Sequence, residues 1–201
     1  ADKFRYFIDT YGPDSVAFYV SGQILTEDYY VANKLMKGYI GSANIDTNSR
    51  LCMASAVAGY KRAFGSDTVP CSYVDIDHCE LLILVGSNAA WTHPILYQRM
   101  EQAKLANPNL KVVVVDPRKT ATEQLGDLHL AIQPGTDVAL FNGLLHYLMV
   151  NKHLNREFIE QYTEQWDVVI TSIETCTLAQ TALVTGVSEA DLRLFYQAFA
   201  A

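Results

Sequence analysis

Positive charge is scarce in this 201-residue chain: 15 Lys and Arg stand against 22 Asp and Glu, a net charge of −7. Binding a phosphate backbone needs a basic surface, so no nucleic-acid partner is expected. Cysteine is scarce as well. Cys52, Cys71, Cys79 and Cys176 form no CxxC pair, which removes the zinc and iron–sulfur signatures from this stretch. Their even count permits disulfides, but nothing points to a secreted scaffold, and they read as thiols of a reducing compartment. No apolar run approaches the roughly 20 residues that span a bilayer. The opening ADKFRYFIDT has no signal-peptide core, and no membrane partner is expected. The GxGxxG fingerprint is missing, which leaves a standard nicotinamide site poorly supported. The chain starts without Met and already in a helical pattern, as expected of an excised segment or a processed protein.

What is present is a core-forming composition. Half the residues are hydrophobic and 18% are charged. Helical and strand patterns alternate. Helices are expected over 4–11, 26–39, 51–64, 91–106 and 137–150, with further helix from 155 onward and a last amphipathic one from Ser188. Apolar runs predict strands at 16–20 (VAFYV), 80–85 (ELLILV), 111–115 (KVVVV) and 129–133 (HLAIQ). Continuous runs of this kind fit strands covered on both faces, as in parallel sheets. The expected fold is α/β: a doubly wound, mostly parallel sheet with helices on both faces, like a Rossmann dinucleotide-binding domain. The pattern breaks within 41–48. The expected division is therefore 1–47, part of a first α/β domain, and 48–201, a second.

Ligands of open α/β sheets collect outside the carboxyl ends of the strands. The strand-exit segments are Ser21-Gly22-Gln23, Gly86-Ser87-Asn88, Asp116-Pro117-Arg118-Lys119-Thr120 and Pro134-Gly135-Thr136-Asp137. Each is polar. Gly lets a ligand approach the backbone, and Ser, Thr, Asn and Asp can bond a ribose, a purine edge or a phosphate. Any one of them by itself reads first as a well-made turn or helix cap; four in a row, expected on one edge of the sheet, favour a large polar ligand. His93, just past the second segment, reads either as a cofactor contact or as a helix-start residue with a local hydrogen bond.

The run Thr47-Asn48-Ser49-Arg50-Leu51-Cys52-Met53 opens a helix. A cysteine there meets unpaired N–H groups and the positive end of the helix dipole, so its thiolate is favoured, and thiolate binds soft metals. Met53, Val57, Tyr60 and Phe64 form an apolar stripe. Cys52, Ala56, Gly59 and Ala63 form a stripe of small residues against which something bulky could lie. The alternative is that Cys52 is a small buried apolar residue. Cys71, Cys79 and Cys176 are assigned no role.

The stretch NSRLCMASAV closely resembles the metal-ligand segment of bacterial nitrate reductases, within the molybdopterin oxidoreductase (dimethyl sulfoxide reductase-like) superfamily. The resemblance continues through LVGSNAAWTHPILYQRM, VVVVDPRKTATEQLGDLHLAIQPGTDVALFNGLLHYLM and TGVSEADLRLFYQAFA, nearly the whole chain. It implies molybdenum held by two molybdopterin guanine dinucleotides and one side chain, that of Cys52. It places Met53 close to the metal pocket and Gln23 and Asn48 near the pterin. It puts Gly86, Ser87, Asn88 and His93 on one dinucleotide-lining loop, Asp116, Arg118 and Thr120 on a second, and Gln133, Gly135 and Asp137 on a third.

The implied reaction is reduction of nitrate to nitrite by oxygen-atom transfer, with electrons from a donor protein or reductase subunit. Formate dehydrogenases of this superfamily usually carry a histidine after the ligand. Met53 stands there instead and favours nitrate, with formate dehydrogenase as the alternative within the superfamily. The resemblance also implies a 4Fe–4S cluster whose four cysteines would precede this segment, and a cytoplasmic, assimilatory setting. The chain is then expected to be a piece of a larger catalytic subunit, inactive on its own. A noncatalytic dinucleotide-binding module and a metal-free thiol enzyme using Cys52 remain competing readings.

Overall fold

The computed structural model describes residues 1–48, 51, 53–68 and 70–201. By their contacts these form two units, Ala1–Pro70 and Cys71–Ala201. The expected break at 47/48 therefore differs from the contact boundary, because the helix after the polar stretch groups with the first unit.

In the first unit, α1 (Asp2–Tyr11) ends at Gly12, whose φ is +89°. β1 (Phe18–Val20) pairs in parallel with β2 (Ile45–Thr47). The expected buried strand over 16–20 is shorter and covered on one side only: Tyr19 is 69% exposed between half-buried Phe18 and Val20. An apolar run cannot tell a one-faced strand from a two-faced one. α2 (Thr26–Asn33) continues into a wider π-type turn, Lys34–Ile40. There the Gly41 and Ser42 N–H groups both donate to the Met36 carbonyl at 3.0 Å, and Met36 is fully buried. α3 (Ala54–Phe64) stops at Gly65 in the left-handed region, as its sequence predicts. None of its residues is buried.

The second unit holds a three-stranded parallel sheet in the order β3 (Leu81–Val85), β4 (Lys111–Val115), β5 (Leu128–Leu130). Alternation along β4 divides its valines between two cores. Val113 and Val115 join Leu130, Ile132, Leu140, Leu144, Leu192, Phe195 and Tyr196. Val112 and Val114 join Leu84, Met100, Ala103, Leu110 and Leu125 on the opposite face. The first face is covered by α6 (Asp137–Val150) and α10 (Glu189–Ala200), the second by α5 (Pro94–Ala106). The α/β class with helices on both faces is thus present. α7 (Arg156–Tyr162), α8 (Trp166–Ile173) and α9 (Leu178–Thr185) complete the unit. No single described helix is long and apolar enough to cross a membrane.

Two expected elements differ in detail. The helix over 91–106 is broken into α4 (Ala89–Thr92) and α5, because Pro94 drives His93 out of the helical region, to φ −139° and ψ 62°. The strand over 129–133 is replaced by 128–130. Its neighbour β4 ends opposite Leu130, and past that point the Gln133 N–H donates instead to the Thr185 carbonyl at 2.8 Å.

Candidate functional site

Register brings the strand exits of the second unit to one level. Val85 lies beside Val115, and Val115 beside Leu130. The segments after them therefore leave the same edge of the sheet. At the first exit Gly86 adopts φ +59°, a turn that favours glycine, and its N–H donates to the Val115 carbonyl at 2.8 Å. Asn88 then starts α4, accepting on its carbonyl from the Trp91 and Thr92 N–H groups and the Thr92 hydroxyl.

At the second exit Asp116 is buried. Its Oδ1 accepts from the Arg118 N–H at 2.8 Å, and its carbonyl meets His129 Nε2 at 2.8 Å. The carboxylate thereby shapes the loop that presents Arg118, Lys119 and Thr120. At the third exit Gly135 has φ +82°. The Gln133 carbonyl accepts from the Thr136 hydroxyl at 2.6 Å, and exposed Asp137 begins α6.

The first two exits share a cleft of about 190 Å³ lined by Asn88, Trp91, Arg118, Lys119, Thr120 and Ala121. Lys119 is 3.0 Å from Glu123, whereas Arg118 has no ion-pair partner among the described residues. Beside them the Thr120 hydroxyl is shut off from solvent, also without a hydrogen-bond partner among the described residues. Such an orphan costs about 1–3 kcal/mol unless something bonds it. An unneutralised guanidinium, an ammonium, an indole and an amide make the cleft suited to an anionic group, in a chain whose net charge is negative.

Not every expected residue joins this cleft. His93 is exposed and bonds its neighbour, Nδ1 to Thr92 Oγ1 at 2.9 Å, which satisfies the local reading. The Gln133 side chain packs against Gly186, where an added Cβ would approach its Nε2 to 3.2 Å. In the first unit, Asn48 Oδ1 accepts from the Gly22 N–H and so joins the two strand exits of that sheet, while the Gln23 N–H donates to Ser21 Oγ at 3.1 Å.

Met53 is 50% exposed at the start of α3. Cys52, with Ser49 and Arg50, lies outside the described residues. Along α3, Ala56, Gly59 and Ala63 are exposed, and nothing lies within 4 Å of a Cβ built at Gly59. Among the described residues no three His, Cys, Asp or Glu side chains gather as metal ligands.

Three residues escaped the sequence reading. Trp91 and Lys119 line the cleft, and Lys119 at least stood in a segment already singled out. Thr122 carried no such signal. It is fully buried, and its hydroxyl accepts from the Ala90 N–H at 3.1 Å and donates to Asn88 Oδ1 at 3.2 Å.

Residues 1–173 match the molybdopterin oxidoreductase family. The chain is 52% identical to a nitrate reductase of Klebsiella oxytoca over 99% of its length, which is 22% of that protein. It is 51% identical to a nitrate reductase of Shewanella frigidimarina, over 98% of this chain and 21% of the relative. With a periplasmic nitrate reductase of Desulfovibrio desulfuricans it shares 45% identity, over 83% of this chain and 22% of the relative. The chain thus spans about a fifth of the length of these relatives. Acetylene hydratase from Pelobacter acetylenicus has a similar fold, with a TM-score of 0.65 at 23% identity over 97% of this chain and 26% of that one.

Proposed function

The chain belongs to the molybdopterin oxidoreductase family, and from that premise we propose that it is part of the catalytic subunit of a nitrate-reducing enzyme. The observation that carries the proposal is identity above 50% to two nitrate reductases along almost the whole chain.

Family membership implies a molybdenum–pterin cofactor; its bis(guanine dinucleotide) form is part of the proposal. The cleft at the first two strand exits fits a phosphate-bearing portion of such a group, because it pairs an unneutralised Arg118 with the orphaned Thr120 hydroxyl. Asn88, Arg118 and Thr120 would hold it, with Gly86 and Ser87 letting it approach the backbone. Asp116 sets the loop by holding the Arg118 N–H. Gln133, Gly135, Asp137 and His93 belong to the proposal as further contacts, as do Gln23 and Asn48 toward the pterin. Cys52 would be the thiolate ligand of the metal, with Met53 beside it.

When bound, the group supplies two-electron oxygen-atom transfer, converting nitrate to nitrite. This chain's part is to bind and orient it. A 4Fe–4S cluster and an electron-donor protein, required to deliver the two electrons, complete the proposal, together with a cytoplasmic location. Iron and sulfide analysis and cell fractionation of the whole protein test these last points.

The central test is Cys52→Ser in the whole protein. Nitrate reduction should fall at least a hundredfold and the molybdenum content should drop. Full turnover with full molybdenum would remove Cys52 from the metal. A second reading is that the 201 residues alone bind a nucleotide without turnover, which the confinement of the cleft to the second unit favours. Stoichiometric molybdenum and nitrate reduction in the isolated chain would rule it out.

A further inference from the structure

We propose that Thr122 is a positioning residue: it locks the Asn88 carboxamide so that only the NH2 side is offered to the cleft, tuning the cleft to ligand groups that accept hydrogen bonds, a diphosphate foremost. The inference rests on the nucleotide-binding reading above and deepens it.

The geometry is a short relay between two strand exits. Thr122 is 0% exposed, so its hydroxyl must find partners inside the protein. It accepts from the Ala90 N–H at 3.1 Å, which leaves its single proton to be placed. That proton goes to Asn88 Oδ1 at 3.2 Å and has no second acceptor among the described residues. Turning the amide over would strand a buried hydroxyl proton, a cost comparable to a lost hydrogen bond. Asn88 Oδ1 is therefore occupied. Its Nδ2 has no partner among the described residues, and Asn88 lines the cleft.

The remaining wall reads the same way. Arg118, Lys119 and the Trp91 indole only donate. The Thr120 hydroxyl beside them still lacks a partner. With the amide fixed as a donor, no lining side chain turns a carbonyl or carboxylate toward an anion, and Glu123, paired with Lys119, stands outside the lining. Were Asn88 reversed, its carbonyl would face phosphate oxygens, lone pair to lone pair.

The test titrates inorganic pyrophosphate into the 201-residue chain by calorimetry, with thermal unfolding followed separately. Thr122→Val keeps the shape and removes the relay; it should weaken binding about tenfold. Thr122→Ser keeps the hydroxyl and should bind within about threefold of the parent. In an Asn88→Ala background, Thr122→Val should weaken binding no further, because its action passes through Asn88. Loss of the Ala90 N–H partner lowers stability in either background; a merely structural role would instead give additive losses of binding in the two backgrounds, which would overturn the proposal. If Thr122→Val does not fold, Asn88→Asp decides. It keeps an acceptor for Thr122 but turns an acceptor toward the cleft, so pyrophosphate binding should be lost at an unchanged unfolding temperature. Retained binding overturns the proposal. Binding by the parent that is indifferent to all these changes removes Thr122 alone. No binding by the parent removes the nucleotide cleft and this inference with it.

Discussion

Gly143 of α6 faces Tyr196 of α10 so closely that a Cβ on the glycine would stand 2.6 Å from the Tyr196 hydroxyl and clash with Thr181 Oγ1. The helices α6, α9 and α10 meet at this point, and Tyr196 is fully buried, its hydroxyl donating to the Leu140 carbonyl at 2.9 Å. Burial pushes the phenol well above its ordinary range, so it stays protonated and keeps donating.

Gly143→Ala should therefore destabilise the second unit. Alanine gains up to about 1 kcal/mol of helix propensity, but overpacking a tight core costs about 1–3 kcal/mol. Overpacking wins because both opposing atoms belong to buried side chains. Urea unfolding should show a lower midpoint; a higher one would mean the helices separate freely here.

Asp127 makes part of the stability depend on acid. Its Oδ2 accepts from Lys104 Nζ at 2.7 Å and the Val112 N–H at 2.8 Å. Partial burial opposes its charge, but the Lys104 and Val112 hydrogen bonds and the charges of Lys104 and Lys111 prevail and hold its pKa below the ordinary 3.8. A carboxyl depressed in the folded state stabilises above the unfolded value, and the benefit fades as pH falls through the folded value. The parent should exceed Asp127→Asn in stability by about 1 kcal/mol or less at pH 7. The gap should close below the ordinary value; one that widened on acidification would reverse this assignment.

The last helix depends on its cap. Ser188 Oγ accepts from the Asp191 N–H at 3.1 Å and donates to Asp191 Oδ2 at 2.7 Å. Ser188→Ala should cost about 1 kcal/mol and Ser188→Gly only a few tenths. Equal losses for the two, measured by denaturant unfolding, would show that the hydroxyl does not cap.

At the cleft, Arg118→Gln should lower the pterin retained by the whole protein, assayed by fluorescence after acid release, and leave the unfolding midpoint within about 0.5 kcal/mol, as for exposed substitutions. Full retention would place the phosphates elsewhere.

The α/β layering was legible in the chain because it is a repeated pattern. Four consecutive valines in β4 announce a strand buried on both faces, and Gly65 and Gly86 mark a helix end and a turn that need left-handed backbone. The cleft residues Asn88, Arg118 and Thr120 were legible as strand exits. His93 was legible as a helix-start residue, but the break that separates 89–92 from the helix at Pro94 was not, because the effect of Pro94 is local and sharp. VAFYV passed for a fully buried strand because hydrophobicity does not record which face is covered.

Which loops adjoin follows from β-pairing, and hydrophobic runs announce strands without choosing their partners: β1 pairs with β2, in a sheet separate from β3, β4 and β5. The hydrogen bonds that aim the loops' side chains do not follow from such runs either. Asn88 and Thr122 are 34 residues apart, and the clash that forces a glycine at 143 comes from Thr181 and Tyr196. A pattern along a chain reports the environment of each residue one turn or one pleat away. The direction of a single proton, or the space for a single methyl, is settled where distant segments meet.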